Sequence, residues 1–157
     1  MVTPSPGPEL PVARLEDRKP PVRMVLAALW ASTMFCYLYC DYFELYTPGK
    51  LQGMLEGRMG SGTVSEGVLA GVSLMMAIPS LLVALSLLLP AGLCRWTNLV
   101  FGAAFTVLMA WLALQDHWLF YRGFAALEAA LTATVVVQAW RWPRRADDAG
   151  AARMPGG

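Results

Sequence analysis

Four apolar stretches, Val22 to Leu45, Gly67 to Leu89, Trp96 to Leu114 and Trp118 to Trp140, alternate with polar connections along this chain. They hold 24, 23, 19 and 23 residues. A helix rises ~1.5 Å per residue, so even the shortest reaches about 28 Å, close to the ~30 Å hydrocarbon core of a bilayer. The connections after the second and third stretches are six and three residues long, which folds consecutive helices back beside one another. The pattern predicts an all-α fold, an integral membrane four-helix antiparallel bundle.

Composition agrees with that solvent. The chain has 157 residues, 57% of them hydrophobic, and a mean hydropathy of +0.49. The four stretches leave no room for a separate soluble domain, so the transmembrane domain is read as 22–142. Residues 1–21 and 143–157, rich in proline, glycine and mixed charge, read as disordered cytoplasmic tails. The first 21 residues show no short apolar region and no small-residue cleavage site, so the first helix is expected to serve as an uncleaved targeting signal. With a net charge of +1 and its basic residues scattered, the chain has no stripe for nucleic acid.

Orientation follows from Lys and Arg counts in the connections. Nine lie on the side of the termini (the N-terminal segment through Arg23, Arg95, and the C-terminal segment from Arg141) and three on the other (Lys50, Arg58, Arg122). The expected topology is N-in, C-in and multi-pass, with both termini in the cytoplasm. Trp96, Trp118, Trp140 and Trp142 fall at span ends, where an indole can bury its ring and wet its N–H.

In the long connection from Tyr46 to Glu66, Thr47 and Pro48 suit the start of a short interfacial helix with Leu51, Met54, Leu55 and Met59 on one face. Thr63-Val-Ser-Glu66 has capping-box spacing at the start of the second stretch. The run Gly57-Arg-Met-Gly60-Ser-Gly62 follows no strand and reads as a flexible loop rather than a dinucleotide fingerprint. In the second stretch Ala70, Ser73, Ala77, Ser80 and Ala84 form a small-residue seam, which marks that helix as the expected packing centre, and Pro79 removes a backbone hydrogen bond near its middle.

The polar residues inside the spans carry what chemistry there is. Glu128 lies ten residues into the fourth stretch, about 15 Å deep, with no arginine or lysine at its depth. A carboxyl there must be neutral, hydrogen-bonded or in a watery cavity. Thr33 and Tyr37, Ala77 and Ser80, and Thr106 reach comparable depth and can form one polar layer with it. Two roles stay open: a hydrogen bond tying Glu128 to Thr106, Tyr37 or Ser80, and a proton or cation relay. In the first helix Trp30, Thr33, Tyr37, Asp41 and Glu44 make a stripe that must face protein or a cavity. Asp41 and Glu44, with Glu66, Asp116 and His117, form an acidic outer rim, but no characteristic ligand spacing calls for a metal and no cofactor motif is present. Cys36 and Cys40 are badly placed for a disulfide, and Cys94, assigned to the inner loop, lies a membrane thickness away, so all three read as small hydrophobes.

Several segments together resemble a bacterial and archaeal family of small four-helix membrane proteins known as domain of unknown function 6326. They are Tyr37-Leu-Tyr-Cys-Asp41-Tyr-Phe, Met75-Met-Ala-Ile-Pro79, Arg95-Trp-Thr-Asn98, Leu127-Glu128-Ala and Ala139-Trp-Arg-Trp-Pro143. The resemblance implies that Asp41, Pro79, Arg95, Asn98 and Glu128 belong to a shared framework, and it attaches no activity. The candidate polar site is therefore Glu128, Asp41, Glu44, Tyr37, Thr106 and Asn98. Two functions follow as expectations: a binding or transport-related bundle, alone or as a homo-oligomer, that uses Glu128 as an intramembrane proton or cation site, and a structural or accessory protein that docks a membrane-protein partner, with Glu128 as a buried hydrogen-bonding group. An enzyme has no case, because no nucleophile has a visible base.

Overall fold

The computed structural model describes residues 19–59, 62–115 and 118–143. In chain order it forms α1 (Val22–Glu44), α2 (Lys50–Leu55), β1 (Arg58–Met59), β2 (Gly62–Thr63), α3 (Glu66–Leu88), α4 (Ala91–Ala113) and α5 (Leu119–Trp140). The four long helices are each long and apolar enough to cross a membrane. Residues 1–18 and 144–157, most of the two expected tails, lie outside the described residues, as do Gly60, Ser61, Asp116 and His117.

Three long helices begin and end within one residue of the apolar stretches. The fourth differs: α4 begins at Ala91, five residues ahead of Trp96. Proline explains it, since the N–H that proline lacks would be unpaired in a first turn anyway and its fixed φ suits a helix entry. The Leu89 N–H closes α3 on Leu85 at 3.0 Å and the Cys94 N–H opens α4 on Pro90 at 2.8 Å. The connection is two residues rather than six, and Cys94 and Arg95 ride on a helix rather than in a loop.

The α1–α3 connection also departs from expectation. Helix α2 starts at Lys50, because Gly49 takes φ +78° and the Thr47 hydroxyl donates back to the Glu44 carbonyl at 2.7 Å instead of capping forward. It stops before Met59, which sits in β1. The glycine run is a minimal antiparallel hairpin, Arg58 opposite Thr63 and Met59 opposite Gly62, made possible by Gly57 at φ +72° and closed by the Val64 N–H on the Gly57 carbonyl. Ser65, not Thr63, caps α3: its Oγ accepts from the Val68 N–H at 3.2 Å, and Glu66 is the first helical residue.

Helix α5, not α3, is the packing centre. It packs along both α4 and α1; α1 also packs against α3, while α3 and α4 touch little. The α4–α5 seam closes around Gly102, where an added Cβ would stand 3.0 Å from Val136 Cγ2 and 3.3 Å from Val135 Cγ1. Trp30 meets Phe105 edge-on at 5.9 Å in the core. By contrast α3 buries only Pro79, Leu82 and Ser86; Ala70, Ser73, Ser80 and Ala84 are exposed and Ala77 is half-buried. The reason is polarity. As the most apolar helix, α3 gains little by hiding any face from hydrocarbon, whereas α1, α4 and α5 carry Trp30, Asn98, Thr132 and Glu128, whose polar atoms must turn inward.

Contacts between helix ends fix which ends meet. Arg23 Nη1 donates to the Leu87 carbonyl at 3.0 Å and Arg95 Nε to the Ala139 carbonyl at 3.1 Å, so one end gathers the starts of α1 and α4 with the finishes of α3 and α5. Phe43 stacks on Phe124 at the other end. These are called the terminal end and the loop end below. The outer surface between them is apolar, with Phe35, Leu74, Leu81 and Val107 exposed, a surface compatible with hydrocarbon contact.

Candidate binding pocket

Helix α1 turns Leu26, Ala27, Trp30, Thr33, Tyr37 and Cys40 inward, and α5 turns Ala125, Glu128, Thr132, Val135 and Ala139, each at the three-and-four spacing of one helical face. The expected α1 stripe is therefore half right. Trp30, Thr33 and Tyr37 are buried, Asp41 is exposed at its edge, and Glu44 turns away to a 2.6 Å ion pair with Lys50.

Toward the loop end these faces enclose a cavity of about 270 Å³. Tyr37, Cys40 and Asp41 line it from α1, Met75 and Met76 from α3, Leu108, Met109 and Leu112 from α4, and Tyr121, Ala125 and Glu128 from α5. Glu128 is 3% exposed and Tyr37 5%. Glu128 Oε1 and the Tyr37 hydroxyl are both buried without a hydrogen-bond partner, and both belong to residues lining this one cavity. Unpaired buried polar atoms are rare in native proteins, because each costs roughly 1–3 kcal/mol, so two of them at one void call for an explanation.

The other candidate residues lie elsewhere. Thr106 does not tie Glu128: its hydroxyl is 2.6 Å from the Gly102 carbonyl and 2.9 Å from the Thr132 hydroxyl. Nor does Ser80, which is exposed and donates to the Met76 carbonyl at 3.0 Å. Asn98 sits nearer the terminal end in a separate, satisfied network. Its Oδ1 accepts from Trp30 Nε1 at 2.7 Å and from Ser86 Oγ at 3.3 Å, and its Nδ2 donates to the Cys94 carbonyl at 2.8 Å. The expected polar layer does not form as one: Thr106 pairs with Thr132, Thr33 and Ser80 bond carbonyls of their own helices, and Glu128 and Tyr37 alone of that layer share the pocket, while the candidate Asn98 belongs to its own structural cluster.

Sequence reasoning missed the pocket's apolar walls and Tyr121. Polarity marks only the groups that avoid lipid; it says nothing about which Met or Leu on α3 or α4 faces a void. The two adjacent methionines at Met75 and Met76 are the one available signal, since flexible thioethers suit irregular and adaptable surfaces. Among the described residues no three His, Cys, Asp or Glu side chains are grouped to hold a metal. Among the described residues no Lys or Arg lines the cavity. Chemically it offers carboxylates and phenols on one side and thioether and aliphatic surface on the other.

Four helices long and apolar enough to cross a membrane, with a polar-tipped void among them, define an all-α class compatible with a membrane protein. The chain belongs to the Family of unknown function (DUF6326), whose model matches residues 16–149. No curated protein and no solved structure matches it.

Proposed function

We propose that the protein is a multi-pass four-helix bundle of the cell membrane, termini in the cytoplasm, that binds a small apolar molecule with a cationic or N–H-donating head in the Glu128 pocket. The observation that carries this reading is the pair of unpartnered buried atoms, Glu128 Oε1 and the Tyr37 hydroxyl, on one cavity. A donor head satisfies Glu128, the Tyr37 hydroxyl turns to whichever partner the ligand supplies, and Met75, Met76 and Met109 take the apolar body. Asp41, at the exposed rim, adds a second carboxylate and favours cations over anions at the entrance.

A hydrophobic carbodiimide tests the site in membranes holding the full chain. The reagent is expected to modify Glu128, read by peptide mass spectrometry, and excess N,N-dimethylbutylamine, a tertiary amine that cannot itself be acylated, should slow the modification at least fivefold. Tyr37→Phe should weaken that protection. Labelling that the amine leaves unchanged would sink the binding reading. Absence of labelling would instead favour the docking alternative, which rests on the exposed small residues Ala70, Ser73 and Ala84 of α3, a face suited to close approach by another helix.

Orientation is tested separately. With Cys36, Cys40 and Cys94 replaced by alanine, an impermeant maleimide on intact cells should label Gln52→Cys on α2 and spare Pro143→Cys. The opposite pattern would invert the topology.

A further inference from the structure

At the terminal end, Arg95, Trp140, Arg141 and Trp142 border a second cavity of about 550 Å³. It shares no residue with the Glu128 pocket. From these side chains we infer a binding site for the phosphate of an anionic phospholipid headgroup, formed where α5 ends beside the start of α4.

The charge at this end is one-sided. Arg23, Arg95 and Arg141 gather here, whereas every described acid (Asp41, Glu44, Glu56, Glu66, Glu128) lies at mid-helix or toward the loop end. Both ion pairs between described residues, Glu44 with Lys50 and Glu56 with Arg58, are also at the loop end. The terminal-end guanidiniums are therefore without a carboxylate among the described residues.

The site is also built rather than merely basic. Arg95 is half-buried, and its Nε–H is held by the Ala139 carbonyl at 3.1 Å. Its guanidinium carbon stands 5.9 Å from the ring centroids of both Trp96 and Trp140. Among the described residues only the Ala139 carbonyl engages one of its five N–H groups, which leaves a planar fork toward phosphate oxygens. Arg141 contributes an exposed charge from the end of α5. Arg23, 5.9 Å from the Trp142 ring, holds that indole while bonding Leu87 on α3.

Depth selects a lipid as the source of that phosphate. Indoles occupy the interfacial layer of a bilayer, the level at which phospholipid phosphates lie, and the apolar helix flanks directly below accommodate acyl chains. A soluble phosphate would gain the arginines but make no use of that surface.

The test uses the purified full-length protein in a neutral detergent, with native mass spectrometry reading bound dioleoyl phosphatidylglycerol against dioleoyl phosphatidylcholine. The wild type should prefer the anionic lipid by at least tenfold. Arg141→Gln, at an exposed position that bears no packing, should lower the preference about fivefold, and Arg95→Gln with Arg141→Gln should abolish it. Arg58→Gln at the loop end should leave it unchanged. Glycerol 3-phosphate at millimolar concentration should not displace the lipid. A wild type without lipid preference, an Arg141→Gln protein with undiminished preference, or equal loss in Arg58→Gln would each overturn the proposal; full displacement by glycerol 3-phosphate would reassign the site to soluble phosphate esters and overturn the lipid as its ligand.

Discussion

Gly102→Leu is expected to destabilise the protein more than any other single glycine substitution, by about 3 kcal/mol or more, read as a fall in the melting temperature in detergent. A Cβ at this position already stands 3.0 Å from Val136 Cγ2, 3.3 Å from Val135 Cγ1 and 3.5 Å from the Thr132 carbonyl. Two of these atoms belong to β-branched side chains whose χ1 is stiff in a helix, and the third is backbone, so none can step aside cheaply. The remaining leucine atoms can be placed only by moving α4 off α5. That separation also pulls Thr106 from Thr132 and opens the core around Phe105. Gly92→Leu and Gly123→Leu, where an added Cβ meets nothing within 4 Å, should change the melting temperature little. A Gly102→Leu protein as stable as Gly123→Leu would mean that α4 and α5 are not the paired helices described here.

Glu128→Met should do the reverse, raising stability by about 1–3 kcal/mol while ending carbodiimide reactivity and amine protection. Methionine matches glutamate in length and removes a carboxyl whose Oε1 has no partner in the folded protein. Replacing such a group with an apolar one of similar shape recovers the desolvation it was costing. The surrounding Met75, Met76 and Met109 supply compatible contacts. Residues retained for a ligand commonly sit at a local cost in stability, and a gain on removal would be the signature of one. A fall of 2 kcal/mol or more on the same substitution would instead make Glu128 a structural strut, and the pocket reading would lose its central residue.

How far the sequence reaches can be judged from these two residues. Glu128 is legible because a carboxyl in the middle of a largely apolar 23-residue stretch has no inexpensive place to go. Gly102 is not, since its significance lies in Val135 and Val136 of another helix. The same asymmetry runs through the fold. Helix existence and length follow from apolar runs, and Pro90 accounts in hindsight for the early start of α4. The choice of packing centre fails because a seam of small residues states what a helix can do when approached, not whether any neighbour approaches. Trp30 and Asn98 are recognisable one at a time as polar groups needing partners; that they satisfy each other, and so leave Glu128 and Tyr37 to the cavity, depends on the rotation of α1 against α4.

The sparse contact between α3 and α4 has a consequence for any molecule that uses the pocket. The hydrogen bonds joining the two helices run from Ser86 to Asn98 and from Cys94 to the Ser86 carbonyl, beside their two-residue connection, while farther along Met75 and Met76 line the void together with Leu108 and Leu112. The wall there is a seam, and in the proposed membrane setting its outside is hydrocarbon. On the reading proposed here a ligand enters sideways, from the bilayer, and the concentration that governs occupancy is the one dissolved in lipid. Each added methylene then enriches the ligand near the seam roughly fourfold before a single protein contact forms, by the ~0.8 kcal/mol of its transfer from water. Across a series of alkylamines, apparent affinity counted per aqueous molecule would follow partition coefficient, and affinity counted per membrane molecule would stay nearly level until the chain outgrew the cavity.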